Sequence, residues 1–439
     1  MNSYLEDASG FKGQAEKVLV PANEAELLQI ITEASRDRSP ITISGAGTGV
    51  TGGRVAQSGW VVSTEKFQRI EIESGRATVG AGLSLEALQA AAGRTNQFYA
   101  PDPTEWTASV GGTIATDASG SRSFRYGSTR KHVLGLRVAL MDGRVLNVKR
   151  GDKVDFDVPE IPIPNTTKNT AGYRLKAGMD WVDLIAGSEG TLGIVIEAEL
   201  RLLPKPADVL AGVVFFVADD AALEAVEAWR TVPGLRMLEY FDAHSLTLMR
   251  DRHSEIPARA GAALLIEQEN GDIDFWAENA PEDSWFADND RDRERFRKFR
   301  HALPELVNDT VRRRGFLKLN SDYAVPLDQN KRMLNLYQVG LLEAHLDHVI
   351  FGHIGDAHVH VNILPSSQAE FDRGQALMLD FARKAVTLGG TVSAEHGLGK
   401  RKAHLLELQY TPAQIESMKA VKRRLDPEWL LNQGNVFKY

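Results

Sequence analysis

The chain has 439 residues, of which 43% are hydrophobic and 25% charged, and its formal net charge is −8. That length exceeds what one hydrophobic core usually supports, so two or three domains are expected, and the negative charge argues against nonspecific nucleic-acid binding. Cysteine is absent, which excludes disulfides, thiolate metal sites, a cysteine nucleophile and an iron–sulfur cluster held by this chain.

Membrane insertion and secretion are not expected. No apolar run approaches the length of a membrane span, and the N-terminal stretch MNSYLEDASG lacks the charged and apolar regions of a signal peptide. The sequence therefore predicts a cytoplasmic protein, and it leaves peripheral docking on a membrane partner open.

Three glycine-rich blocks stand out in the first half of the chain, at residues 44–53, 109–120 and 186–196. The first follows a predicted strand at residues 40–43, which comes after a predicted helix with Asn23 as its N-cap. Glycine lets backbone N–H groups approach a phosphate closely, although the spacing differs from the dinucleotide fingerprint. One such block could be an ordinary hairpin, but three indicate a long ligand bound by main chain at several points.

The middle of the chain predicts a second domain. Asp142-Gly143 between alternating apolar runs indicates a β-hairpin, and the composition then changes around Pro204 and Pro206, where a boundary is expected. Strands and helices alternate beyond it, which is typical of an α+β or α/β layer domain. The predicted strands lie at residues 213–217, 237–241 and 262–267, and the predicted helices at residues 221–229 and 296–307.

Residues 349–364 hold three histidines, His353, His358 and His360, between two apolar runs. Side chains alternate between faces along a strand, so His353 and His360 share a surface only if a turn or bulge interrupts the strand at Gly355. The cluster indicates a metal site completed by an acidic residue from elsewhere in the chain. A surface hairpin that is rich in histidine is the alternative.

A second cluster follows a predicted helix at residues 375–388, which is expected to end at Gly389-Gly390. A short strand is predicted from there into Glu395 and His396, whose side chains would then point to opposite sides. One of them could serve a metal while the other faces a substrate. Together with His353 and His360, Glu395 gives two imidazoles and a carboxylate, a common metal-ligand set with room for a substrate.

Several ordered blocks together resemble one known family. They are SGAGTGVTGG, PDPT with GGTIATDASG and RYG, GSEGTLGIVIE, HIGDAHVH, SAEHGLGK and LDPEWLLNQGNVF. The chain resembles the FAD-linked oxidases of the vanillyl-alcohol oxidase / p-cresol methylhydroxylase superfamily along nearly its whole length. Within that superfamily it is similar to the branch of D-lactate dehydrogenases, D-2-hydroxyglutarate dehydrogenase and the glycolate oxidase catalytic subunit.

The resemblance implies an α+β fold with three parts. A two-subdomain FAD-binding domain of the p-cresol methylhydroxylase type is expected at residues 1–204. An α+β substrate or cap domain with an antiparallel sheet, carrying the metal cluster, is expected at residues 205–400. A C-terminal segment at residues 401–439 is expected to return to the FAD-binding domain.

The resemblance also implies non-covalent FAD, because the first glycine block holds no His or Cys for covalent attachment. The pyrophosphate is expected on that first block. The residues expected to contact the cofactor are Gly45, Ala46, Gly47, Thr48, Gly49, Pro101, Asp102, Gly111, Gly112, Thr116, Glu189, Gly190, Thr191, Gly193 and Ile194.

Metal-dependent members of the family imply roles for the two later clusters. His396 is implied as the base that takes the substrate's hydroxyl proton. A divalent ion, zinc or manganese, is implied with the ligands His353, His360 and Glu395. Substrate contacts are expected from Arg300, Lys318, Asn362 and His358.

The sequence departs from the family pattern at several positions. Ala357-His358 stands where the family usually has Gly-Asn, so His358 is expected to make a substrate or outer-shell contact rather than to bind the metal. Asn320 stands at a family lysine position, and Lys318, two residues earlier on the same predicted strand face, is expected to replace that lysine. Ser44 and residues 432–435 also lack basic side chains found in relatives. These departures bear on the identity of the acid more than on the chemistry.

The implied activity is FAD-dependent oxidation of a D-2-hydroxy acid, of the D-lactate, D-2-hydroxyglutarate or glycolate type, to the 2-oxo acid. The hydride would pass to flavin, and the electrons then to an electron-transfer flavoprotein, a quinone or a cytochrome. Two alternatives stay open, namely an FAD-dependent oxidase of another alcohol without a metal and a flavin-binding subunit of a larger dehydrogenase. No nucleic-acid partner is expected, and a homodimer is left open.

Overall fold

Two sheets organise the N-terminal part of the chain in the computed structural model, which describes residues 2–438 without the side chains of Asn2 and Asp290. Its strands are β1 (Lys17–Leu19), β2 (Ile41–Ser44), β3 (Trp60–Ser63), β4 (Ile70–Glu73), β5 (Arg76–Gly80), β6 (Gln97–Phe98), β7 (Val133–Ala139), β8 (Val145–Lys149), β9 (Ile194–Arg201) and β10 (Leu203–Pro204). Its helices are α1 (Glu24–Asp37), α2 (Leu85–Gly93), α3 (Val110–Thr116), α4 (Ser123–Tyr126) and α5 (Trp181–Ile185).

The two sheets differ in direction. Strands β1, β3 and β2 form a parallel sheet in that order, and β4-β5-β9-β7-β8 form an antiparallel one. Helix α1 packs on the parallel sheet through Leu27, Ile31 and Ala34, which recur at helical spacing and are fully buried. Asn23 caps this helix by accepting a hydrogen bond from the Glu26 N–H, as its sequence position predicts.

A seven-stranded antiparallel sheet forms the second part of the fold, and helices cover it. Its strands are β11 (Val209–Phe216), β12 (Leu235–Asp242), β13 (Ala262–Glu269), β14 (Trp285–Ala287), β15 (Leu319–Asn320), β16 (His348–Gly352) and β17 (His360–Ile363), in the order β14-β11-β13-β12-β16-β17-β15. The helices are α6 (Asp219–Trp229), α7 (Ala243–Met249), α8 (Ile273–Asn279), α9 (Asp290–Arg314), α10 (Asn330–Glu343) and α11 (Gln368–Thr387).

Both faces of this second sheet are buried, which explains its continuous apolar strands. In β11, Val214 and Phe216 pack into one core with helices α6 and α8, whereas Val213 and Phe215 pack into another with helices α7 and α9. A strand that is buried on both faces must be apolar at successive positions. Strand β12, which pairs with β13 in the same sheet, carries one acidic residue before its last position, Glu239, and that residue is therefore conspicuous.

The C-terminal segment contains α12 (Leu406–Gln409) and α13 (Pro412–Leu425) and then runs back to the first sheet. The Ile41 N–H donates to the Leu430 carbonyl at 2.8 Å, and Ile41 and Leu431 form a parallel bridge. Among residues 2–438, none of the helices combines the length and apolar character that spanning a bilayer requires.

The fold class expected from the sequence is confirmed, with an antiparallel sheet in each part of the fold; β6 and β10 add a small two-stranded antiparallel sheet to the N-terminal part. The hairpin at Asp142-Gly143 joins β7 and β8, and Gly143 has a φ of 84°. The helix predicted at residues 375–388 begins earlier, at Gln368, and ends at Thr387. The strand predicted to run into Glu395 is wrong, because residues 392–398 are irregular and only Thr391 forms an isolated bridge.

Candidate active site

The histidine-rich stretch forms the end of the second sheet. Strand β16 leads into a 3-10 turn at Ile354–Asp356, and β17 begins at His360. The left-handed residue of the turn is Ala357, with a φ of 51°, and not the Gly355 that the sequence indicates. This turn places the rings of His353 and His360 opposite each other, with centroids 5.5 Å apart.

Glu395 completes a cluster with these histidines. Its Oε1 lies 3.1 Å from His353 Nε2 and 3.3 Å from His360 Nε2. With His358, the four side chains each present one ligand atom within 4.8 Å of the others. Imidazole nitrogen and carboxylate oxygen are ligands that zinc accepts in proteins, so the donor set fits a divalent ion.

Glu395 and His396 line the same cavity, although a strand would have pointed them to opposite sides. The irregular backbone of this loop explains the difference, because neighbouring side chains alternate only in an extended strand. Both side chains therefore face the space in which a substrate would meet a cofactor.

The charges of the cluster favour a cation at its centre. Burial opposes protonation of His353, but the carboxylates of Glu239 and Glu395 outweigh it and raise the pKa of His353 to about 9. Burial would raise the pKa of Glu395, yet His353 and Lys168 hold it well below its usual value. A metal ion would supply the positive charge that a proton on His353 otherwise provides.

Glu239 orients His353 from behind. It lies on β12 with its side chain 2% exposed, and its Oε1 is 2.5 Å from His353 Nδ1. Arg300 binds the other oxygen, with Nη2 at 2.9 Å from Glu239 Oε2. Carboxylate contact at Nδ1 turns Nε2 toward Glu395, where a metal would lie, and such contact is the usual support of a metal-binding histidine. Sequence reasoning missed Glu239, although an acidic residue inside an apolar strand was an available signal.

Lys168 and Ser119, in the N-terminal part of the chain, hold Glu395 in place. The Lys168 Nζ lies 3.0 Å from Glu395 Oε2 and 3.5 Å from Asp356 Oδ2, and its side chain is 2% exposed. The Ser119 hydroxyl donates to the same Oε2 at 2.8 Å. Glu395 thus turns Oε1 to the histidines and Oε2 to Lys168. No sequence pattern indicated Lys168.

Asp322 supports the candidate base. It is fully buried, and its Oδ1 lies 3.5 Å from His396 Nδ1 while its Oδ2 accepts the His396 backbone N–H at 3.0 Å. Burial lowers the pKa of His396 to about 4, and Asp322 only partly offsets this effect. The imidazole is therefore neutral near pH 7 and able to accept a proton.

The other expected substrate contacts are placed differently. Arg300 is bound to Glu239, and its Nη1 also donates to Thr104 Oγ1 at 3.3 Å. Lys318 precedes the two-residue strand β15 instead of sharing a strand face with Asn320, and burial together with Lys402 lowers its pKa. Asn362 is buried on β17.

The glycine-rich blocks line the cavity onto which Glu395 and His396 open. The expected cofactor residues that line it are Gly45, Ala46, Gly47, Thr48, Gly49, Gly111, Gly112, Thr116, Glu189, Gly190, Gly193 and Ile194. Gly49 lines the cavity, and a Cβ there would meet, within 4 Å among the described residues, only Asp7 Oδ2 at 3.8 Å. Main chain therefore forms much of a wall that suits a nucleotide cofactor.

Three expected cofactor residues lie outside the lining of this cavity. Pro101 is buried, and Asp102 Oδ1 accepts the Trp106 indole N–H at 3.0 Å. Thr191 is fully buried and donates to the Ser188 carbonyl at 2.6 Å. These contacts hold the glycine-rich loops in shape.

Glu189 links the third glycine block to the Glu395 loop. Its carboxylate accepts the N–H groups of Leu398 and Gly399 at 2.7 and 2.6 Å. Burial raises the pKa of Glu189 to about 7 despite these hydrogen bonds. The C-terminal Asn432 and Asn435 also line the cavity, and sequence reasoning assigned neither a role.

Comparison with known proteins supports this picture. A family model for an FAD binding domain matches residues 15–149, and one for the C-terminal domain of FAD linked oxidases matches residues 205–436. A D-lactate dehydrogenase of Archaeoglobus fulgidus is 32% identical over 96% of this chain and 91% of its own length. Glycolate oxidase subunit GlcD of Bacillus subtilis is 30% identical over 99% of this chain and 92% of its own.

Other matches agree. A D-2-hydroxyglutarate dehydrogenase of Xanthomonas citri is 29% identical over 96% of this chain and 89% of its own. A solved structure of alkyldihydroxyacetonephosphate synthase matches with a TM-score of 0.66 over 94% of this chain and 76% of that one, at 16% identity. The structural match supports the fold alone.

Proposed function

The chain belongs to the FAD-linked oxidases and is an oxidoreductase, and on that premise we propose that it oxidises a D-2-hydroxy acid to the 2-oxo acid. The observation that carries the proposal is that Glu395 and His396 line the cavity walled by the glycine-rich blocks. A metal-ligand set and a neutral imidazole therefore adjoin the place of the flavin. Relatives named as D-lactate, glycolate and D-2-hydroxyglutarate enzymes support the substrate class.

In this reaction the residues of the site would have separate roles. His353, His360 and Glu395 would hold a divalent ion, which would lower the pKa of a hydroxyl, and FAD would supply a hydride acceptor when bound. His396 takes the hydroxyl proton, since burial keeps its imidazole neutral. The substrate thus loses a hydride and a proton and becomes the 2-oxo acid.

We assign binding of the substrate carboxylate to Arg300 before Lys318 or Asn362. Arg300 Nη1 contacts Thr104, which lines the flavin cavity, so the guanidinium lies at the cavity's edge. A guanidinium binds carboxylates through two parallel hydrogen bonds. Glu239 occupies part of this guanidinium, and it thereby fixes the orientation of the side chain.

Electrons must leave the reduced flavin for an acceptor outside the chain. The sequence contains no cysteine, so an iron–sulfur cluster bound by its own thiolates is excluded. We propose an electron-transfer flavoprotein, a quinone or a cytochrome as the acceptor.

Anaerobic reduction of the bound flavin tests the proposed activity. The purified protein is mixed with D- and L-enantiomers of lactate and 2-hydroxyglutarate, and with glycolate, and the loss of flavin absorbance is followed. We expect reduction by at least one of these acids and, for a chiral one, faster reduction by the D-enantiomer. Reduction only by an uncharged alcohol, or by none of the panel, would overturn the proposal.

Chelation tests the metal separately. Dialysis against a chelator should lower the rate of flavin reduction, and added Zn²⁺ or Mn²⁺ should restore it. Full activity of a protein whose elemental analysis finds no divalent metal would refute the ligand assignment while leaving hydroxy-acid oxidation intact.

A further inference from the structure

His358 is the one member of the four-residue cluster whose side chain lacks a hydrogen-bond partner among the residues that the structure describes. His353 contacts Glu239 and Glu395 through its two ring nitrogens. His360 Nδ1 faces the Ser321 carbonyl at 3.1 Å. His358 is fully buried, and both of its ring nitrogens are unsatisfied. Its Nε2 lies 3.2 Å from Asp322 Oδ1, an ion-pair distance without hydrogen-bond alignment.

The ring lies within reach of the metal-ligand set. Its centroid is 4.5 Å from that of His360 and 5.3 Å from that of His353. One ligand atom of His358 lies within 4.8 Å of those of His353, His360 and Glu395. Ligands on a tetrahedral zinc ion are about 3.4 Å apart, so shifts of about 1 Å would bring all four onto one ion.

We propose that His358 is a third imidazole ligand of the divalent ion, so that the full set is His353, His358, His360 and Glu395. The proposal rests on the metal site of the proposed function and goes beyond its two-histidine ligand set. It also changes the expected role of His358 from a substrate contact to a metal ligand.

The surroundings of His358 support ligation. A histidine that contacts a substrate must reach the cavity, but His358 is fully buried and does not line the cavity that Glu395 and His396 share. Asp322 stands beside its ring, as a carboxylate does beside many metal-binding histidines. Two buried nitrogens without partners are explained if one binds a metal and the other turns its N–H to Asp322.

A third imidazole has a consequence for metal choice. Nitrogen-rich sites suit zinc, whereas manganese is bound best by carboxylates, carbonyls and water, and it lies lower in the order of divalent affinities. The wild-type protein should therefore prefer Zn²⁺ to Mn²⁺. Four protein ligands leave zinc able to accept a fifth, as some zinc enzymes do.

The test compares wild-type holoprotein with His358→Asn, which restores the amide usual in relatives. Metal-free protein that keeps its flavin is titrated with Zn²⁺ against a chromophoric chelator, and zinc X-ray absorption counts the coordinated imidazoles. Loss of an outer-shell contact lowers metal affinity by about 10- to 100-fold. Loss of a direct ligand should lower it by more than about 100-fold, and the imidazole count should fall from three to two.

His348→Asn is the matched control. His348 is a buried histidine of the same sheet, and its ring lies against His244 with centroids 4.3 Å apart. This variant should keep the wild-type zinc affinity and imidazole count.

The outcomes separate the two proposals. Two imidazoles on the wild-type zinc ion, or an unchanged affinity in His358→Asn, would overturn the role of His358 and leave the proposed function standing. A wild-type protein that binds no zinc would overturn the metal site itself. Because the wild-type count needs no variant, a His358→Asn protein that fails to fold leaves the test decisive.

Discussion

The two sides of the active-site cavity differ in their chemical groups, because one consists mainly of backbone and the other of buried charged side chains. The glycine-rich side, around Gly49 and Gly112, is largely main chain, with Arg54 and Glu189 among the charged side chains that also line it. The opposite side concentrates buried charge, where Glu239, Glu395 and Lys168 lie within one connected set of ion pairs. One side should bind a cofactor through shape and backbone dipoles, whereas the other should act through charge and proton transfer.

The difference predicts opposite sensitivities. Added volume should damage the glycine-rich side, because a new Cβ occupies the space of the ligand. Removal of one charge should damage the other side, because each buried charge compensates a neighbour. Each variant below alters one side of the cavity, and the measurement shows whether the other side is affected.

The largest effect is expected from His396→Ala. Loss of a general base typically lowers the rate about 10²- to 10⁴-fold, so turnover with the best hydroxy acid should fall by that factor. Flavin content should stay at the wild-type level, since the charged side is not expected to hold FAD. Steady-state kinetics and flavin absorbance measure the two quantities.

His404→Ala is the control for this variant, because His404 is an exposed histidine of the same C-terminal region. It should keep wild-type kcat. Near-normal turnover of His396→Ala would remove the base from the proposed mechanism, and loss of flavin would show that the two sides are not separable.

Lys168→Met tests the charge network. Its removal leaves Glu395 and Asp356 without their buried cation, and breaking a buried ion pair from one side costs about 3–5 kcal/mol. The free energy of unfolding of the metal-free protein should fall by that amount. Urea denaturation followed by tryptophan fluorescence provides the measurement.

Lys153→Met is the matched control, since Lys153 is exposed and its ammonium group donates a hydrogen bond to a carbonyl, that of Gly178, rather than to a carboxylate. Its unfolding free energy should change by less than about 0.5 kcal/mol. The double variant Lys168→Met/Glu395→Gln should be less destabilised than the sum of its single variants, because it removes both charges of the pair. Additive losses would argue against an ion pair.

The same contrast governs what could be predicted from the sequence. Glycine is itself the signal of a backbone-lined site, so the three blocks indicated the cofactor side directly. The residues that support the charged side come from distant positions: Lys168 and Glu395 are 227 residues apart. Such pairings depend on how sheets pack and leave no local pattern.

Local backbone geometry also limited what could be predicted from the sequence. The hairpin at Asp142-Gly143 and the gathering of His353 with His360 followed from periodicity and turn residues. Periodicity left α+β and α/β open, and the family resemblance selected the α+β class. The Glu395 loop did not, because its apolar neighbours suggested a strand while the chain there is irregular. Long-range contacts to Asp322, which accepts the N–H groups of Glu395 and His396, replace the strand ladder.

Gly49→Ala probes the cofactor side with a smaller expected effect. The added methyl group meets little protein at a residue that lines the cavity, so it should take up space next to the cofactor. Overpacking costs about 1–3 kcal/mol, so Kd for FAD should rise about tenfold while the unfolding of flavin-free protein is unchanged. Gly93→Ala is the control, because a Cβ there meets no described atom within 4 Å and lies outside the cavity. Unchanged FAD affinity in Gly49→Ala would place the cofactor elsewhere.

The smallest expected effect concerns the pH dependence of kcat/KM, which should be flat. A general base works when deprotonated, so kcat/KM falls as pH drops through its pKa. An unperturbed histidine would give an acid limb near about 6.5, but burial lowers the pKa of His396 to about 4. A nearby divalent cation would lower the pKa further, because it opposes a second positive charge. We therefore expect kcat/KM of the holoprotein, measured in brief assays with flavin retention checked at each pH, to stay level through 6.5.

A fall in kcat/KM near pH 6.5 that persists in every variant of the charged side would contradict this expectation. It would show that the catalytic base is exposed to solvent. A limb near pH 4 that appears only after chelation would instead locate the cation beside His396, because burial alone lowers the pKa of that imidazole to about 4. The pH profile therefore tests whether burial on the charged side lowers the pKa of the catalytic base. The position of His396, next to Asp322 and beside His360, implies that it does. The glycine-rich side has no comparable influence on proton transfer, so Gly49→Ala should leave the profile unchanged even where it weakens FAD binding.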